Sequence, residues 1–117
     1  MKKIMIVDDD AAIQDAVCRH LEKAGYSVTV YPNGQLLLTD NFDIPDLLLL
    51  DKQLSGADGL DICRSLKHRK RTRLLPVIIL SASPHVHQPA LQAGADDFLE
   101  KPFRFKDLLS LLKRHIP

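Results

Sequence analysis

Lys3-Ile4-Met5-Ile6-Val7-Asp8-Asp9 opens the chain with a short apolar run that stops at two carboxylates. Four apolar residues in succession have the composition of a strand buried on both faces, as a parallel sheet requires. A second such run, Leu47-Leu48-Leu49-Leu50, stops at Asp51. In a parallel sheet both strands end at the same edge, which brings Asp8, Asp9 and Asp51 together. At ~4 Å and an effective dielectric of ~20, each like-charged pair in such a cluster costs about 4 kcal/mol. The cluster is tolerable if a cation sits in it or if one member has a raised pKa. A hard divalent ion with oxygen ligands is the natural occupant.

The rest of the chain continues the alternation of short apolar runs and amphipathic stretches. After the strand Lys3–Val7, a helix is expected over Ala11–Ala24, with Ile13, Val17, Leu21 and Ala24 as its apolar stripe. Asp9 or Asp10 can cap its start, and Gly25 suits its end. Strands are expected at Ser27–Tyr31, Asp46–Leu50, Val77–Leu80 and Phe98–Glu100, and helices at Gln35–Asp40, Leu60–His68 and Phe105–Ile116. Residues 55–59 read as a loop. Residues 83–93 match a helix poorly, because Pro84 and Pro89 each remove a backbone donor; one or two turns are expected between about Pro89 and Ala93. Five strands alternating with five helical segments predict an α/β fold: a doubly wound parallel sheet covered on both faces, with right-handed crossovers. Ligands of such sheets lie beyond the carboxyl ends of the strands.

Asp8-Asp9 follow the first strand, Asp51 the third, with Gly59 eight residues on; Ser81-Ala82 follow the fourth and Lys101-Pro102-Phe103 the fifth. This ordered set at the strand exits resembles the receiver domain of bacterial two-component response regulators. The spacing fits along essentially all of residues 1–117, expected as one receiver domain. The resemblance implies a flavodoxin-like three-layer sandwich with strand order 2-1-3-4-5. It implies Asp51 as phosphoacceptor for a phosphoryl group from a histidine kinase or phosphotransfer protein, with Mg²⁺ held by Asp8, Asp9, Asp51 and the backbone carbonyl of Gln53. Lys101 and Ser81 would contact the phosphoryl group, Ser81 and Phe98 would act as the switch, and Lys101-Pro102 would be cis. A partner or output domain would read the change at the face of the fourth helix, fifth strand and fifth helix, where a homodimer can also form. The domain would be a switch that assists its own phosphorylation and dephosphorylation, and not a turnover enzyme.

Other features narrow the function class. With 117 residues, 45% of them hydrophobic, and a net charge of +1, the chain has the size and core of one domain and no overall demand for nucleic acid. The run Lys67–Arg73, KHRKRTR, reads as a solvated helix end and loop. Two cysteines, Cys18 and Cys63, make no disulfide framework, and no apolar stretch approaches the ~20 residues of a membrane span, so a reduced, cytoplasmic setting is the expectation. The five histidines do not form a zinc pattern.

Two rival readings are an Asp-nucleophile phosphohydrolase and a receiver-like interaction module that is never phosphorylated. The first normally has an acid two residues after the nucleophile, where this chain has Gln53. An FMN carrier shares the strand order, but here the first loop is rich in Asp instead of Gly and Ser/Thr. The chain also departs from its family. Leu54-Ser55 stands where Met-Pro is frequent, and the Ser83–Ala93 segment is short and carries two prolines, so an altered signalling face is expected there.

Overall fold

The computed structural model describes residues 1–117. Seven strands and five α-helices follow one another along the chain. The first part runs β1 (Lys3–Val7), α1 (Ala11–Lys23), β2 (Ser27–Tyr31), α2 (Gln35–Leu38), β3 (Leu47–Asp51). Next come β4 (Gln53–Leu54), β5 (Ala57–Asp58), α3 (Gly59–His68), β6 (Val77–Ser81), α4 (His87–Gln92), β7 (Asp97–Glu100) and α5 (Phe105–His115). The main sheet is parallel in the order β2-β1-β3-β6-β7, which is 2-1-3-4-5 once the small β4–β5 ladder is set aside.

The continuous Leu run of β3 has a simple physical reason. Leu48 and Leu50 face the core beneath α2, α3 and α4, while Leu47 and Leu49 face the core beneath α1 and α5. All four are fully buried, and each contributes roughly 1.5–3 kcal/mol relative to exposure. β1 and β6 split their side chains between the same two cores. The register then aligns the exits: Val7 pairs with Leu50, Asp51 with Leu80, and Ser81 with Glu100. Asp8, Asp51, Ser81 and Lys101 therefore follow one another across the sheet edge.

Several local expectations are corrected. The first helix ends at Lys23, one residue short of the expected end, with Ala24 exposed as its C-cap; of the two expected N-caps it is Asp10 that serves, accepting from Ala12 and Ile13. The second helix stops at Leu38, short of Asp40, because Thr39 turns extended and its hydroxyl donates to the Leu36 carbonyl. Residues 55–59 are not simply a loop. Gln53 and Leu54 pair antiparallel with Asp58 and Ala57 around Gly56, whose φ of 76° explains the glycine, and α3 begins at Gly59.

The proline-containing segment is more helical than expected. A 3₁₀ turn spans Pro84–Val86 and α4 follows from His87, two residues before Pro89. Pro84 opens the 3₁₀ turn and Pro89 lies in the first turn of α4, positions whose N–H groups have no intrahelical partner, so neither missing donor breaks the helix. The basic run is only partly a solvated helix end. Arg69 donates to the Thr39 and Leu38 carbonyls at 3.0 and 3.4 Å, and Arg71 to those of Asp40 and Phe42 at 3.0 and 2.6 Å, clamping the α2–β3 connection.

Candidate functional site at the carboxyl edge of the sheet

Asp8 is fully buried and Asp51 nearly so, while Asp9 is exposed. Their carboxylate oxygens lie within 4.8 Å of one another. Asp8 Oδ1 accepts the Asp10 N–H at 2.9 Å, and Gln14 Nε2 donates to the Asp8 carbonyl, so the start of α1 fixes the first loop. Asp51 Oδ1 accepts the Gln53 N–H at 3.3 Å, and Asp9 Oδ2 accepts the Ser55 hydroxyl at 3.3 Å.

Lys101 arrives from the far strand. Its N–H donates to the Ser81 carbonyl at 2.8 Å, and the Lys101-Pro102 peptide is cis, as expected. Its ammonium bridges two acids, at 2.8 Å from Asp8 Oδ2 and 3.3 Å from Asp51 Oδ2. A cavity of about 350 Å³ opens beside this pair, lined by Asp51, Gln53, Ser81, Ala82, Ser83 and Lys101. A larger groove, about 440 Å³, lies beside β2 and the α2–β3 connection and includes none of the three clustered acids.

Burial and the neighbouring Asp8 charge push the Asp51 carboxyl above its ordinary range, against the pull of Lys101 and the Gln53 N–H. Burial alone would push the Lys101 ammonium down, but its hydrogen bond to Asp8 and the two carboxylate charges outweigh that and hold it above the usual lysine value. One ammonium against three carboxylates leaves the pocket short of positive charge. The donor set consists of hard oxygens and fits Mg²⁺, which takes a few carboxylates and keeps several waters.

Gly59 sits behind Asp51. A Cβ there would collide with the Asp51 carbonyl oxygen and lie 2.9 Å from the Lys52 Cα. Asp58 caps α3 by accepting the Leu60 N–H at 2.9 Å, and its other oxygen pairs with Lys52 at 3.2 Å. Ser81 is buried, and its Oγ accepts the Ser83 N–H at 3.1 Å. Phe98 does not enter the pocket; its half-buried ring stacks on His87.

The structure thus gathers Asp8, Asp9, Asp51, Ser81, Lys101 and the Gln53 backbone, and it leaves Phe98 outside. Gln14, Ser55 and His87 were not singled out for these contacts in the sequence. The Ser55 and His87 contacts join separate parts of the fold, so no local pattern marks them.

The family description "Response regulator receiver domain" matches residues 4–113. The chain belongs to this family. The receiver domain is 37% identical over 118 residues to the DNA-binding dual master transcriptional regulator RpaA of Synechocystis sp., covering 97% of this chain and 48% of that protein. It is 39% identical over 114 residues to the response regulator MprA of Mycobacterium avium, covering 95% and 49%. The receiver domain spans about half the length of these relatives.

Among solved structures, it resembles the receiver domain of the sensor histidine kinase PA1611 of Pseudomonas aeruginosa, which has a magnesium ion coordinated in its active-site cleft. The TM-score is 0.88 at 30% identity, covering 98% of this chain and 97% of that one. The response regulator TrrA of Thermotoga maritima, in complex with Mg²⁺-BeF, gives a TM-score of 0.87 at 28% identity, covering 99% and 100%. Receiver domains are signalling switches of two-component systems, and that is the class of this chain. No helix is long and apolar enough to cross a membrane.

Proposed function

We propose that Asp51 accepts a phosphoryl group from the phosphohistidine of a kinase or phosphotransfer protein, and that the resulting acyl phosphate switches the domain. The observation that carries this reading is the Asp51 carboxylate lining a polar cavity, with the Lys101 ammonium bridging it to the buried Asp8.

An Asp51 carboxylate oxygen attacks phosphorus, the P–N bond to the donor imidazole breaks, and the imidazole nitrogen leaves with the electron pair. The chain's part is positioning and charge neutralisation, as for other phosphoryl transfers. Lys101 offsets charge on the phosphoryl oxygens, and Ser81 donates a hydroxyl hydrogen bond to one of them. Asp8, Asp9, Asp51 and the Gln53 backbone carbonyl would hold Mg²⁺, which supplies further neutralisation of the phosphoryl charge when bound. Hydrolysis by water restores the carboxylate. Gln53 and Ser83 line the cavity where that water would approach and are the side chains placed to tune the lifetime.

The phosphorylated state is favoured through contacts at Ser81 and Lys101 that the free state lacks, which shifts a two-state equilibrium. Phe98 moves with Ser81, and an output domain or partner reads the change at the α4–β7–α5 face. Intact mass spectrometry after incubation with acetyl phosphate and Mg²⁺ tests the chemistry. One phosphoryl adduct on the wild type and none on Asp51→Asn is the expected result; an adduct that persists in Asp51→Asn overturns it.

A further inference from the structure

The imidazole of His87 lies flat on the ring of Phe98, with centroids 5.0 Å apart and planes 16° from parallel. His87 is exposed at the start of α4, and Phe98 is half-buried on β7, packed at the margin of the core beneath α4. The contact sits at the end of a continuous chain of bonds that begins in the cavity. Ser81 Oγ accepts the Ser83 N–H at 3.1 Å, the Ser83 carbonyl accepts the Val86 N–H at 3.2 Å, and the His87 N–H closes the 3₁₀ turn on the Pro84 carbonyl. Pro84 lies within this short path and stiffens it, since it fixes its own φ.

We propose that His87 is a latch on the switch: its ring, stacked on Phe98, holds that side chain in its resting position and passes movement of Ser81 on to it. The inference rests on the phosphoacceptor reading above and adds to it a positioning residue outside the cavity. When the Ser81 hydroxyl turns to serve a phosphoryl oxygen, the turn that ends in His87 is pulled with it, the stack parts, and Phe98 is released. In the resting state the stack opposes that movement, so it lowers the population of the binding-competent form and with it the apparent affinity for a phosphoryl mimic.

The test is the apparent affinity for beryllofluoride with Mg²⁺, followed by fluorine NMR, in wild type, His87→Ala, Phe98→Ala and the double variant. His87→Ala is expected to bind about two- to tenfold more tightly than wild type, the range that an aromatic pair of this geometry contributes. The gain should vanish when Phe98→Ala is already present, and His87→Tyr, which keeps a stacking ring, should retain wild-type affinity. An unchanged or weakened affinity in His87→Ala, or the same gain with and without Phe98, overturns the latch. Acetyl phosphate labelling of the wild type separates the two readings. Labelling without the double-variant coupling sinks the latch alone, whereas no labelling and no beryllofluoride binding sink the acceptor role and the latch together.

Discussion

Gly59 packs its Cα so closely behind Asp51 that no side chain fits between them: an added Cβ would strike the Asp51 carbonyl oxygen and stand 3.0 Å from its carbonyl carbon. The neighbours it would meet are backbone atoms of β3 and Lys52, which cannot swing aside as a flexible side chain would. Gly59→Ala is therefore expected to cost about 1–3 kcal/mol, the usual range for overpacking, and to slow phosphorylation by displacing Asp51. Urea denaturation and acetyl phosphate labelling measure the two effects; wild-type stability in the variant would contradict the packing argument.

Lys101 is the ammonium facing both Asp8 and Asp51. Lys101→Ala leaves the fully buried Asp8 beside Asp51 without its cation, and removing one partner of a buried pair costs about 3 kcal/mol or more. Without divalent ions the melting temperature should fall. Adding Mg²⁺ should raise it further in the variant than in the wild type, because the cation replaces missing positive charge. Equal Mg²⁺ responses in the two proteins would argue against a shared electrostatic site.

Asp97 ties the start of β7 to the end of α5, accepting from Arg114 and His115 at 3.0 Å each. Burial works to raise its pKa, but the bond from His115, the Phe98 N–H and the charge of Arg114 win and lower it below the ordinary 3.8. A depressed carboxyl contributes stability that is present above its unfolded pKa and is lost as pH falls through the lower folded value. Asp97→Asn should therefore be less stable than wild type at neutral pH, with the difference closing in acid below about pH 4. Thermal melts across that range check the sign, and a gap that widens in acid would refute it.

Cys18 donates its thiol to Glu22 at 2.8 Å. That bond, with burial and the charges of Glu22 and Asp15, pushes the thiol from 9.0 up to about 11. The thiolate is the reactive form, so Cys18 should alkylate slowly at pH 8, and Glu22→Ala should speed it roughly tenfold or more. Peptide-resolved iodoacetamide labelling measures this. Cys63 is also raised to about 11, mainly by burial, and should stay slow in both proteins.

Much of the site was readable before the fold because its residues fall at the ends of apolar runs. Asp8, Asp51, Ser81 and Lys101 each follow or close a strand, and a parallel sheet delivers strand ends to a common edge. The proline segment departs from the sequence expectation for a local reason: a missing donor is costly inside a helix and nearly free in its first turn, and which turn Pro89 occupies depends on where the chain leaves β6. The role of Arg69 and Arg71 was hidden because the carbonyls they clamp lie about thirty positions earlier in the chain.

Hydrophobic periodicity and the placement of charge at strand exits were enough to specify a doubly wound sheet and an acidic pocket at its carboxyl edge, because runs apolar on both faces and their alternation with amphipathic helices are written in residue order. Distances that join remote positions came only with folding. The Lys101 ammonium 2.8 Å from Asp8, the glycine wedged behind Asp51 and the His87 ring lying on Phe98 depend on how helices pack against the sheet. That packing is a property of many side chains at once, and no single stretch of sequence carries it.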